Sequence, residues 1–327
     1  MKRAKLVPES ALRKRDRLPP PWPGREYDID GQRLFVRHTP ATASDAEPAL
    51  YVHGLGGSGQ NWTDLADILS DRLDGEAIDL PGFGHSAPNR RYSIPALGQQ
   101  VAAWITASGR GPVHLFGNSL GGAISVYIAA TRPHLVRTLT LISPAMPFMD
   151  VRRSRQSRLL PLLAMPRAER FAARAMAGLS AEQLVDQVLA NCWGDPETIS
   201  AQRLAEAVDE QRRRMAVPWN AEAYVRTFRA LVGSFVQAYL PGSSSLWRQA
   251  ESITAPTLVI WGKLDRLVDV RMAPQVAGAI TDSRMLILDR VGHLAMMERP
   301  EMTARAFLAM LDEISRTSTY TDAGVTP

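Results

Sequence analysis

The chain has 327 residues, 45% of them hydrophobic, a formal net charge of +5 and a single cysteine, Cys192. That apolar content suffices for a large packed core, while no stretch approaches the roughly 18 consecutive apolar residues of a membrane-spanning helix. One cysteine excludes an internal disulfide and any cysteine-based metal site, so Cys192 reads as a small packing residue.

Residues 1–25 hold the basic excess: Lys2, Arg3, Lys5, Arg13, Lys14, Arg15, Arg17 and Arg25 against Glu9 and Asp16, with residues 1–24 reading as an N-terminal arm. The positive charge therefore belongs to a tail and not to a folded groove, which argues against nucleic-acid binding. A flexible, solvated arm is expected there, with weak peripheral contact to an anionic lipid surface as its sharper use. It lacks the apolar centre of a secretory signal, so a cytoplasmic location is the default expectation.

After Pro19-Pro20-Pro21, residues 25–30 and 33–38 alternate as strands do, around the hairpin signal Asp30-Gly31. Residues 49–53 read as a buried strand, 61–72 as a helix, 76–80 as a strand and 93–108 as a helix. Strand 113–116, helix 120–132 and strand 137–143 follow, and the alternation resumes with 256–262, 271–279, 284–289 and a last helix over 299–316. Such alternation predicts a mostly parallel sheet covered on both faces. The stretch 146–248 breaks it: helical in period, rich in Arg, Ala and Met, it reads as an inserted α-helical cap.

Gly117-Asn118-Ser119-Leu120-Gly121 falls where strand 113–116 meets helix 120–132. Glycines at 117 and 121 let strand and helix cross closely, and the central serine must take a backbone conformation that L-residues avoid. A serine mounted this way attacks only when a base takes its proton and an acid orients that base. Downstream, strand 256–262 runs into Lys263-Leu264-Asp265, and strand 284–289 runs into Gly292-His293. Serine, acid, histidine is the order such a corner predicts, with acid and base just past strand ends. Asp269 is the rival acid; its other role is to cap the helix that follows.

Together with His53-Gly54-Leu55-Gly56-Gly57 and Asp79-Leu80-Pro81-Gly82-Phe83-Gly84-His85-Ser86, these pieces make a chain that resembles the α/β-hydrolase superfamily with a helical cap, over about residues 25–316. The resemblance implies an α/β-hydrolase fold: an eight-stranded, mostly parallel sheet, a core of residues 25–145 and 249–316, a cap at 146–248 and a tail at 317–327. It assigns Ser119 as nucleophile, His293 as general base and acid, and Asp265 as the orienting acid. It gives the oxyanion to the main-chain N–H groups of Leu120 and Leu55, with Gly56 next in line. His53, Gly54, Gly56 and Asn118 support the site, and Trp62 either lines the pocket or packs in the core. In the cap, Met146, Met149, Met165, Met176 and Met215 suit an apolar acyl pocket or cap packing, Tyr224 and Tyr239 suit packing, and Arg152, Arg153, Arg155 and Arg158 read as a solvated face, a lid hinge or an anion clamp.

The implied reaction is hydrolysis of a small-molecule carboxylic ester, thioester or lipid acyl ester through an acyl-enzyme, with no metal and no cofactor. Carbon–carbon bond hydrolases of ring-fission diketones share asparagine before the serine, here Asn118, but carry an aromatic residue where this chain has Leu294, and their cap arginine has no evident counterpart by sequence. Epoxide hydrolases and haloalkane dehalogenases need a carboxylate at the corner, so Ser119 argues against both. A ligand sensor on the same fold is the non-enzymatic alternative.

Overall fold

The computed structural model describes residues 1–148, 174, 178–240 and 245–322. Strands buried on both faces form the middle of one sheet: β4 (Glu47–Val52), β6 (Val113–Asn118), β7 (Val136–Ile142) and β8 (Thr257–Gly262). Side chains alternate across the pleat. From β6, Val113 and Leu115 enter one apolar cluster, with residues of α2 (Ile94–Ser108) and α3 (Leu120–Thr131). Phe116 enters the other, with α1 (Thr63–Ile68) and α10 (Pro300–Asp322).

The sheet order is β1-β9-β8-β7-β6-β4-β5-β3-β2, where β1 is Lys2–Arg3, β2 Gly24–Ile29, β3 Gln32–Thr39, β5 Leu73–Asp79 and β9 Ser283–Leu288. The hairpin β2–β3 turns at Asp30 (φ 52°) and Gly31 (φ 79°), the left-handed pair that its sequence calls for. Pairing is antiparallel for β2–β3 and β3–β5 and parallel elsewhere.

Nine strands replace the expected eight. The addition is β1, which lies parallel to β9 and occupies that strand's otherwise open hydrogen-bonding edge. The rest of the basic arm is laid on the core as well. Arg13 pairs with Asp67 at 3.1 Å and Arg15 with Asp64 at 3.0 Å, both carboxylates on α1. Those ion pairs, formed across long sequence separations, hold a segment that composition alone describes as solvated.

Other differences are local. The helix expected over 61–72 is a 3-10 turn, Gly59–Trp62, followed by the short α1, after which Ser70 N and Arg72 N bond three residues back, to Asp67 O and Leu69 O, in tight turns. Between β7 and β8 the described cap residues form α4 (Ala181–Cys192), α5 (Ala201–Met215) and α6 (Asn220–Gln237). Helix α7 (Leu246–Glu251), which spans positions 248 and 249, buries Leu246 and Ala250 in the first apolar cluster. Helices α8 (Ala273–Ala279) and α9 (Ala295–Glu298) precede α10, which runs past the expected end at 316 to Asp322. Met149, Met165, Met176, Arg152, Arg153, Arg155 and Arg158 lie outside the described residues. Met146 is buried, whereas Met215 is exposed on α5. Among the described residues no helix is long and apolar enough to cross a membrane.

Candidate active site

Ser119 sits between β6 and α3 with φ 53° and ψ −116°, a conformation that L-residues reach only under constraint. The constraint is the close crossing that the glycines permit. A Cβ on Gly121 would lie 2.2 Å from Val52 O, and one on Gly117 would lie 2.5 Å from Gly121 O. Neither position tolerates a side chain. The corner is pinned further by Ser119 N donating to Ile142 O at 3.0 Å and Ala145 N donating to Ser119 O at 2.9 Å.

His293 and Asp265 meet on the loops after β9 and β8. His293 Nδ1 donates to Asp265 Oδ2 at 2.8 Å, and both side chains are buried. The other carboxylate oxygen, Oδ1, accepts from Leu267 N at 2.8 Å and Val268 N at 3.0 Å, which fixes the acid's orientation. The rival Asp269 caps the turn at Arg271 N (2.8 Å) and pairs with the Arg271 guanidinium, while His293 Nδ1 is taken by Asp265. Asn118 brings serine corner and histidine loop together, because its Nδ2 donates to both Ile142 O and His293 O at 3.1 Å.

The glycine-rich loop after β4 packs on the same corner: a Cβ on Gly54 would stand 3.1 Å from Ser119 Cβ. Beneath it, His53 Nδ1 donates to Gly54 O at 2.7 Å while Nε2 accepts from Leu80 N at 2.9 Å. These two bonds define one neutral tautomer, and burial lowers the His53 pKa to about 4. Among the described residues, the N–H groups of Leu55 and Leu120 have no protein acceptor. Trp62, one of two readings of which placed it in the pocket, is fully buried below the loop and stacks on Tyr51 at 5.3 Å between ring centroids.

Residues 48–300 match the family model of the alpha/beta hydrolase fold. The chain belongs to the α/β-hydrolase family. Among curated relatives of this α/β-hydrolase, the monoacylglycerol lipase abhd6-B of Xenopus laevis is 28% identical over 301 residues, covering 90% of this chain and 84% of the relative. A 2-hydroxy-6-oxo-6-(2'-aminophenyl)hexa-2,4-dienoic acid hydrolase of Metapseudomonas resinovorans is 27% identical over 277 residues, covering 82% and 85%. Of solved structures, a bacterial membrane phospholipase A described as a virulence factor superposes with a TM-score of 0.71 at 25% identity, covering 90% of this chain and 87% of that one.

Two features of this α/β-hydrolase were not legible in its motifs. The first is Arg214, at the end of α5. A Cβ on Gly56 would lie 3.2 Å from Tyr224 Cε2 and 3.4 Å from Arg214 Nη2, so both cap side chains rest on the glycine loop. Arg214 Nε is buried with no hydrogen-bond partner among the described residues, and burial lowers this guanidinium's pKa. The carboxylate one turn back, Glu210, has both oxygens taken by Arg213, at 2.7 and 2.8 Å. The second is Glu298 of α9, whose carboxylate accepts from Gly292 N at 3.0 Å, Leu294 N at 3.3 Å and Gly194 N at 2.8 Å. No group of His, Cys, Asp and Glu suited to a metal ion occurs among the described residues.

Proposed function

We propose that this chain hydrolyses carboxylic esters of small acyl substrates, lipid-like ones included, with Ser119 as nucleophile, His293 as base and Asp265 as its orienting acid. The hydrogen bond from His293 Nδ1 to Asp265 carries this reading, because it leaves Nε2 as the proton acceptor and stabilises the imidazolium that forms. Ser119 Oγ attacks the carbonyl carbon while its proton passes to His293 Nε2. The developing oxyanion is held by the N–H groups of Leu55 and Leu120, which have no other acceptor among the described residues. Collapse of the tetrahedral species expels the alcohol, which takes the proton from His293, and an acyl group remains on Ser119. Water, deprotonated by His293, then releases the acid and restores the serine. The likeness to a monoacylglycerol lipase supports the substrate class.

One observation favours a second reading. Arg214 places on the glycine loop a buried guanidinium whose Nε has no hydrogen-bond partner among the described residues, where a substrate carboxylate finds a counter-charge, and one relative is named for hydrolysis of a hexadienoic acid. That reading is carbon–carbon bond cleavage of an acidic diketone. A panel of a neutral monoacylglycerol, a 4-nitrophenyl ester and a ring-fission diketone acid decides between them. Ester turnover that exceeds diketone turnover in kcat/KM supports the first reading; the reverse order overturns it.

A further inference from the structure

Glu298 lies outside the Ser119, His293 and Asp265 set, yet the loop that carries the histidine is built around it. Gly292 and Leu294, the two residues flanking His293, donate their N–H groups to this carboxylate, Gly292 to both oxygens at 3.0 Å and Leu294 to Oε1 at 3.3 Å. The third donor, Gly194 N at 2.8 Å, comes from the cap, just past the end of α4. The cap returns the contact. His293 N donates to Cys192 O at 2.6 Å, and Arg266, next to Asp265, donates from Nη1 to Ala190 O and Trp193 O at 2.9 Å each. The backbones pass too closely for side chains: a Cβ on Gly292 would lie 2.3 Å from Cys192 O.

A half-buried carboxylate whose donors among the described residues are all main-chain groups is costly to desolvate, and burial does raise the Glu298 pKa. A helix of four residues needs no such group for its own sake. What the carboxylate does is hold both ends of the His293 peptide unit against a cap segment that also takes the His293 N–H.

We propose that Glu298 is a positioning residue for the base: it sets the His293 imidazole relative to Ser119 and couples that position to the cap segment 190–194. Only an acceptor on both oxygens serves, because all of its partners are N–H donors. A glutamine there turns an NH2 group toward an N–H and forces the loop to shift. Displacement of a reacting group by about 1 Å costs on the order of a hundred-fold in rate.

The inference rests on Ser119 and His293 acting as proposed above, so its test has one arm that needs no substrate turnover. Wild type, Glu298→Gln and Glu298→Asp are compared for kcat and KM on 4-nitrophenyl butyrate and for the rate of Ser119 labelling by a fluorophosphonate, with thermal melting alongside. The expected result is a kcat about ten- to a hundred-fold lower in Glu298→Gln, KM within about three-fold, slower labelling by a similar factor, and partial recovery in Glu298→Asp, which keeps two acceptors. Should the glutamine variant not fold, the aspartate variant alone decides, with lowered kcat at near-constant KM expected. Wild-type kcat and labelling in a folded variant, or a loss confined to KM, would overturn the proposal. Wild-type labelling without any ester turnover instead counts against the ester reading and leaves the labelling comparison valid.

Discussion

His53 offers a measurable link between protonation and the integrity of the glycine loop. Its Nδ1 donates to Gly54 O and its Nε2 accepts from Leu80 N, so adding a proton to Nε2 breaks the bond to the residue that follows β5 and leaves a charge in the core. Burial lowers its pKa from 6.5 to about 4, partly offset by the Gly54 bond. The unfolded chain therefore binds this proton first. A depressed histidine contributes stability that is fully present above the unfolded pKa and is lost as pH falls toward the folded one. With these two values the loss between pH 7 and pH 5 is about 2 kcal/mol, reaching about 3 kcal/mol near pH 4. In a chain of this size each kcal/mol moves the melting temperature by about 2 °C, so His53 alone accounts for about 4 °C by pH 5. The assay is melting from pH 7 to pH 5 for wild type and for His53→Gln, which retains a donor and an acceptor but does not titrate. The gap between the two curves should narrow by about that amount as pH falls. Parallel curves would refute the claim that His53 is held neutral by burial.

Two other substitutions separate roles that the sequence left open. Asp265→Asn should lower kcat by orders of magnitude while the protein stays folded, since the imidazole loses its orienting acceptor; Asp269→Asn, which weakens a turn cap and an ion pair with Arg271, should change kcat less than about two-fold. The reverse pattern in steady-state kinetics would assign the acid to Asp269. Arg214→Met should cost about ten-fold or more in kcat/KM on a carboxylate-bearing ester relative to its neutral analogue, the worth of one charge-assisted hydrogen bond. An unchanged ratio would remove Arg214 from substrate recognition.

How far the sequence discloses this site follows from how local each constraint is. The Ser119 corner is legible because two glycines and a strained residue must stand at fixed spacing, and because Asp265 and His293 follow strands recognisable by their apolar runs. His53 and Gly54 are legible for the same reason. The ninth strand is not, since Lys2-Arg3 carries no apolar pattern and owes its place to the open edge of β9. Nor is the docking of the arm, which depends on Asp64 and Asp67 of a helix distant in sequence. Trp62 shows the limit at a single residue, because an aromatic side chain one turn from the glycine loop fits pocket or core until its stacking on Tyr51 decides. Glu298 and Arg214 act across the junction of cap and core, where no short motif records which backbones meet.

The central claim is that Ser119 is an activated nucleophile. Incubation with a fluorophosphonate, followed by intact mass and peptide mapping, measures it directly. One covalent adduct on the peptide containing Ser119, absent from Ser119→Ala and slowed in Asp265→Asn, is the expected result. A folded wild-type protein that takes no label, or a label that persists in Ser119→Ala, would contradict it.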